Sequence, residues 1–176
     1  VISGAKNDLL GPSDYRNATQ NSFEEVVAEI YAIYQARLTS ANAMDFDDLI
    51  MKTVDLLQKF PEARSRYRHR FKHILVDEYQ DTNHAQYILI RELVGSDREG
   101  IPAAELCVVG DADQSIYGFR GATIRNIMAF EEDYPDAQTI LLEQNYRSTQ
   151  NILSAANAVI SLNEARKEKN LWSDAG

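Results

Sequence analysis

Three carboxylates stand just past an apolar run in the stretch ILVDEYQDTN, residues 74–83. Asp77, Glu78 and Asp81 follow Ile74, Leu75 and Val76. Like charges set side by side cost free energy unless a cation or a reaction uses them. A strand ending in Asp-Glu suits nucleotide hydrolysis. Asp77 would hold Mg²⁺, directly or through water, because hard cations take oxygen ligands. Glu78 would orient or deprotonate an attacking water. The competing reading is a polar turn that caps the next helix. Gln80, Asp81 and the apolar lead-in tilt the balance toward chemistry.

Two more polar clusters follow apolar runs. GDADQSIYGFRGA, residues 110–122, carries Gln114 four residues past its strand end, placed to sense a phosphate or position a water. Tyr117 and Phe119 flank Gly118, and Arg120 follows; such a group can stack bases and hold a phosphate. Alternatively, one ring simply anchors the loop to the core. EQNYRST, residues 143–149, puts Arg147 at the head of a helix, where the macrodipole repels cations. An arginine there meets an anion, as an arginine finger on a γ-phosphate would. Otherwise it pairs with Glu143 or another carboxylate. Tyr146 beside it can stack on a base.

The spacing of apolar residues predicts the elements that carry these clusters. Residues 1–20 read as a short helix and a loop broken by Gly11 and Pro12. Phe23, Val26, Val27, Ile30, Ile33, Tyr34 and Leu38 recur at helical spacing, with Asn21 or Ser22 as cap. Asp45 opens a second amphipathic helix bearing Phe46, Leu49, Ile50, Val54, Leu57 and Phe60, and Pro61 closes it or opens the next. HILVDE, ELCVVGD and AQTILLEQ read as three buried strands. Helices are expected over 83–94, ended by Gly95, and over 123–132 and 148–163. Strands alternating with helices imply βαβ units on a parallel sheet, whose carboxyl ends form the ligand crevice. The first sixty or so residues contain no strand and read as a separate all-helical piece.

Bulk composition sets limits. Of 176 residues, 44% are hydrophobic and 26% charged, which is ordinary for a globular chain and excludes wholesale disorder. The net charge of −9 argues against a generally basic nucleic-acid binder, but binding is local. Arg64, Arg66, Arg68, Arg70 and Lys72 crowd one short segment, read as a solvated helix face feeding a strand. His69, His73 and His84 show no metal-ligand spacing with one another or with Cys107. Cys107, the single cysteine, reads as a small buried hydrophobe, and such usage fits a reducing, cytoplasmic setting. No apolar run approaches the roughly 20 residues of a membrane span. The first residue is Val1 rather than Met, a hint that the chain was cut from something longer.

Together, AMDFDDLI (43–50), ILVDEYQDTN (74–83), VVGDADQSIYGFRGA (108–122) and ILLEQNYRST (140–149) resemble the superfamily 1A DNA helicases of the UvrD/PcrA/Rep type. The tail NEARKEKNLWSDAG resembles the family's continuation. The resemblance implies Asp77 as the Walker B Mg²⁺ ligand, Glu78 as catalytic base and Gln114 as γ-phosphate contact. It implies Tyr117, Phe119 and Arg120 on the single-strand track, Tyr146 near the adenine and Arg147 on the γ-phosphate. The family often has Trp where Phe119 stands; Phe keeps a stacking face with less area. The implied fold is a partial RecA-like α/β sheet with flanking helices. Residues 1–62 would end a helical 1B insertion, 63–148 would form the C-terminal half of domain 1A, and 149–176 would lead towards domain 2A. The implied activity is ATP- and Mg²⁺-dependent 3′-to-5′ translocation on single-stranded DNA with duplex unwinding, in repair or replication restart. A helicase–nuclease subunit of the RecB or AddA type and a non-catalytic DNA-binding or docking module are the alternatives. None of the glycines opens or closes a G-x-x-x-x-G-K-[ST] loop. The resemblance therefore reads the chain as an internal fragment, inactive alone, with sheet edges open to self-association.

Overall fold

The computed structural model describes residues 1–96, 101–163 and 169–175, without the side chain of Arg120. Pro12 supplies a pre-set φ at a first helical position, so the expected loop is instead a second helix: α1 spans Ile2–Asn7 and α2 Pro12–Ala18. Asn21 caps α3 (Ser22–Ser40) by accepting from the Glu24 N–H. Asp45 caps α4 (Phe46–Lys59) by accepting from the Asp48 N–H. Pro61 opens α5 (Pro61–Arg70).

The faces of α3 and α4 differ from expectation. On α3, Phe23, Val26, Ile30 and Ile33 are exposed, while Ala28 and Tyr31 are buried. On α4, Val54 and Leu57 are buried with Met51 and Asp48, but Phe46, Leu49 and Phe60 are exposed. The reason is polar. Lys6 of α1 is buried, and its ammonium sits 2.7 Å from Asp45 Oδ2 and 3.0 Å from Asp48 Oδ1. Tyr34 donates to Asp45 Oδ2, Gln35 Nε2 donates to Asp48, and the Tyr31 hydroxyl donates to the Leu10 carbonyl. A buried cation must be compensated, so α3 and α4 turn Tyr31, Tyr34, Gln35 and Asp48 toward Lys6 rather than their largest apolar side chains.

β1 (His73–Val76) and β2 (Glu105–Val108) pair in parallel, His73 opposite Glu105 and Val76 opposite Val108. Between them α6 (His84–Val94) starts at a reciprocal Asn83–Gln86 cap and stops at Gly95, whose φ of 74° suits glycine. α4 and α5 pack on α6. Arg68, expected on a solvated face, is instead buried, with Nε donating to the Glu92 carbonyl at 2.7 Å. Arg64 joins it on the Glu92 carboxylate. α7 (Arg125–Met128) and α8 (Phe130–Asp133) replace the single helix expected at 123–132, and α9 spans Gln150–Ile160.

The expected third strand does not form. Ile140, Leu141 and Leu142 form no regular element and are exposed, because no described strand lies beside them to complete a ladder. Among the described residues, Gln144 makes an isolated bridge with Trp172. Cys107 is also exposed rather than buried. It shares with Leu75 a sheet face that no described element covers, and Leu75 is 78% exposed. Among the described residues no helix is long and apolar enough to cross a membrane.

Burial by itself would lower the Lys6 pKa, but Asp45 and Asp48 outweigh it and hold the ammonium above its ordinary 10.5. Burial likewise opposes ionisation of Asp45, and Lys6, the Asp48 N–H and Tyr34 hold it below 3.8. The Asp45 contribution to stability is therefore complete above the ordinary carboxylate value and disappears as pH falls through the depressed one. The Lys6 contribution is complete below 10.5 and disappears as pH rises through the raised value. Lys6→Met leaves Asp48 buried without its cation, and urea unfolding at neutral pH should show a loss of about 3–5 kcal/mol.

Candidate active site

Because β1 and β2 are parallel, their carboxyl ends share one edge, the place where open α/β sheets bind ligands. The ladder continues one step past the strands: Val109 N–H donates to Val76 O at 2.8 Å, and Tyr79 N–H to Val109 O at 3.0 Å. Between these, Glu78 takes a left-handed backbone, φ 49° and ψ 42°. That conformation is uncommon for a residue with a Cβ and persists only where surroundings impose it. Here the anchor is Tyr79, buried edge-on against Phe130 at 5.6 Å between ring centres. Burial raises its hydroxyl pKa well above the ordinary 10.0.

Gln80, 1% exposed, joins the two strand ends. Its Nε2 donates to Glu78 Oε2 at 2.8 Å, and its Oε1 accepts from the Asp111 N–H at 2.9 Å. Asp111 in turn accepts from the Asp113 N–H and, at 2.7 Å, from Gln114 Nε2. The Lys169 ammonium contacts Asp111 Oδ1 and lies 3.3 Å from Asp113 Oδ2. Burial pushes the Asp111 pKa up, but Lys169 and Gln114 outweigh it and hold the carboxyl below 3.8. One hydrogen-bonded chain thus runs Glu78–Gln80–Asp111–Gln114. Asp77 and Glu78 are exposed, and Asp77 Oδ1 accepts from the Glu78 N–H. Among the described residues Asp81 Oδ1, which is buried, has no hydrogen-bond partner.

Gly110 makes the crossing possible. A Cβ there would meet Gln80 Oε1 at 2.6 Å and Tyr79 N at 3.2 Å. Past Gln114, the Tyr117 and Phe119 rings lie 6.0 Å apart and Phe119 is 80% exposed. The Arg120 side chain lies outside the described residues. The loop ends at Gly121, φ 88°, against Asn7 of α1. Asn7 Oδ1 also accepts from Asn83 Nδ2 at 3.0 Å, so α1 braces both polar clusters.

Tyr146 and Arg147 stand apart from this chain. Both are exposed, and Asn145 Oδ1 accepts from the Arg147 and Ser148 N–H groups in the turn before α9. Glu143 accepts from the Asn170 N–H instead of pairing with Arg147. Among the described residues neither Tyr146 nor Arg147 bonds to Asp77, Glu78 or Gln114. Sequence reasoning missed Lys6, Asn7 and Lys169. Each sits in an ordinary polar stretch, and only the fold shows what it faces.

Residues 1–135 match the family described as the UvrD/REP helicase N-terminal domain. The chain belongs to that family. It is 65% identical, over its whole length, to the ATP-dependent DNA helicase UvrD1 of Mycobacterium tuberculosis H37Rv. It is 55% identical to the ATP-dependent DNA helicase PcrA of Leuconostoc citreum, again over its whole length, and 51% identical over 99% of its length to PcrA of Bacillus subtilis 168. The chain spans only 23% of the length of each of these relatives. The UvrD/REP match takes in the chain from Glu78 to Gln114 and the loop of Tyr117 and Phe119; Tyr146, Arg147 and Lys169 lie beyond it.

Gly110→Ala forces a shift at the crossing of the two strand ends, and overpacking of this kind should lower stability by about 1–3 kcal/mol, read as a reduced denaturation midpoint.

Proposed function

We propose that this segment is the ATP-hydrolysing and DNA-contacting part of an ATP-dependent DNA helicase, moving 3′ to 5′ on single-stranded DNA and serving in repair. The observation that carries the reading is the chain Glu78–Gln80–Asp111–Gln114 at the carboxyl ends of two parallel strands. It joins a candidate base to a candidate phosphate sensor through a buried amide, so a change at one is felt at the other. The domain reading is that residues 1–62 end a 1B insertion, 63–148 complete a RecA-like 1A domain and 149–176 lead into 2A.

The residues fit Mg²⁺ in a particular way. Among the described residues there is no cluster of three or more His, Cys, Asp or Glu side chains able to hold a metal. Mg²⁺ needs no such cage where a nucleotide is present, being held by one or two carboxylates, water and phosphates. Asp77 would supply that carboxylate, and the ion, when bound, neutralises phosphate charge. Glu78, fixed by Gln80, is set to accept a proton from water. Gln114 can turn its amide from Asp111 to a phosphate oxygen. Tyr146 and Arg147 would close on adenine and γ-phosphate from the adjoining segment. The phosphate cradle and its lysine are not among these residues, so the segment alone should not turn over ATP. The bare Leu75 and Cys107 face would be covered by the rest of a longer helicase or by a second copy.

Glu78→Gln in a full-length helicase carrying this segment should reduce DNA-stimulated ATPase by about 100-fold or more. An unchanged rate would make the carboxylates structural and leave a DNA-binding module as the reading. Phe119→Ala should weaken single-stranded DNA binding by about 1–3 kcal/mol in fluorescence anisotropy. Unaltered affinity would remove that ring from the strand's path.

A further inference from the structure

The two groups proposed to meet the γ-phosphate belong to different pieces of the fold. Gln114 lies on the loop after β2. Arg147 lies on a segment laced to the tail. Asn145 N–H donates to the Trp172 carbonyl at 2.7 Å, Trp172 N–H to the Glu143 carbonyl at 3.0 Å, and Gln150 N–H to the Ala175 carbonyl at 3.0 Å. Gln144 Nε2 donates to Asp174, and Asn170 N–H to Glu143 Oε1. Residues 143–150 and 169–175 therefore form one unit. From the first residue of that tail, Lys169 reaches across to Asp111 and Asp113. Its side chain is only 19% exposed, and those of Asp111 and Asp113 are 22% and 11% exposed, so the contact is largely shielded from solvent.

The geometry points to Lys169 as the positioning residue that couples the Gln114 loop to the Arg147 segment, a role that rests on the function proposed above. Two consequences follow from charge. Asp111 accepts from both Lys169 and Gln114. When Gln114 turns toward a phosphate, Asp111 keeps a cation, so the amide can leave without stranding a shielded carboxylate. And because Lys169 is continuous in sequence with the strap that holds Glu143 and Asn145, its grip on Asp111 and Asp113 fixes how far Arg147 stands from Gln114. Both contacts matter most when charge develops on the transferred phosphoryl group, so the effect belongs to turnover rather than to nucleotide binding.

The test uses a full-length helicase carrying this segment. Lys169→Met should lower kcat of DNA-stimulated ATP hydrolysis by about 10-fold or more while KM for ATP stays within about 2-fold. Lys169→Arg, which keeps the charge, should restore most of kcat. Asp113→Asn weakens the same contact from the other side and should lower kcat in the same direction, by less when added to Lys169→Met than alone. This variant also serves if the methionine protein is poorly folded. An unchanged kcat in Lys169→Met or in Asp113→Asn overturns the coupling, as does a raised KM with kcat intact. Glu78→Gln run in parallel separates the two claims. If it abolishes ATPase while Lys169→Met does not, only the coupling falls; if it leaves ATPase intact, both fall.

Discussion

A single buried amide governs the site end of this fold. Gln80 touches both strand ends, donating to Glu78 and accepting from the Asp111 backbone. A carboxylate there would repel Glu78, and an ammonium would leave the Asp111 N–H without an acceptor. Only a neutral group with a donor and an acceptor on the same plane satisfies both. Its position follows from Tyr79, whose buried ring leaves the next residue facing β2, and from Gly110, which leaves room for the crossing. The left-handed turn at Glu78 is held by these contacts on either side.

The helical part is organised by a second buried polar group, Lys6, and its neighbour Asn7 extends the effect. Lys6 fixes α1 against α3 and α4 through Asp45 and Asp48. One residue on, Asn7 reaches Asn83 and the turn at Gly121. Two consecutive residues therefore connect the DFDDL stretch, the cap of α6 and the aromatic loop. The motifs quoted from the sequence are far apart along the chain, yet α1 brings their supporting residues together.

Much of this was legible beforehand. The caps at Asn21 and Asp45 were readable, because an Asx side chain before a periodic run has one good use. The first two strands were readable from short apolar runs ending in charge. Faces were harder. Helical periodicity on α3 pointed to Phe23, Val26, Ile30 and Ile33, but the buried side is the one that meets Lys6. A period shows that a stripe exists and does not show whether something covers it. The third strand failed for the same reason, since Ile140–Leu142 have strand composition and no ladder partner among the described residues. Cys107 is exposed where an apolar run suggests burial, because β2 has only one covered face among the described residues. At the site, residue types singled out Glu78 and Gln114, which Gln80 and Asp111 link in the fold, whereas Lys169 depends on the tail folding back to Asp111.

The Lys6 cluster also constrains how such a chain can drift over generations. Losing the ammonium strands Asp48, and losing either aspartate leaves a buried cation short of its counter-charge. Each single step passes through a destabilised ancestor, while a concerted exchange of all three for apolar side chains of similar volume does not. Positions 6, 45 and 48 are therefore expected to be inherited as a block, changing together or staying fixed while the exposed flank of α3 varies freely.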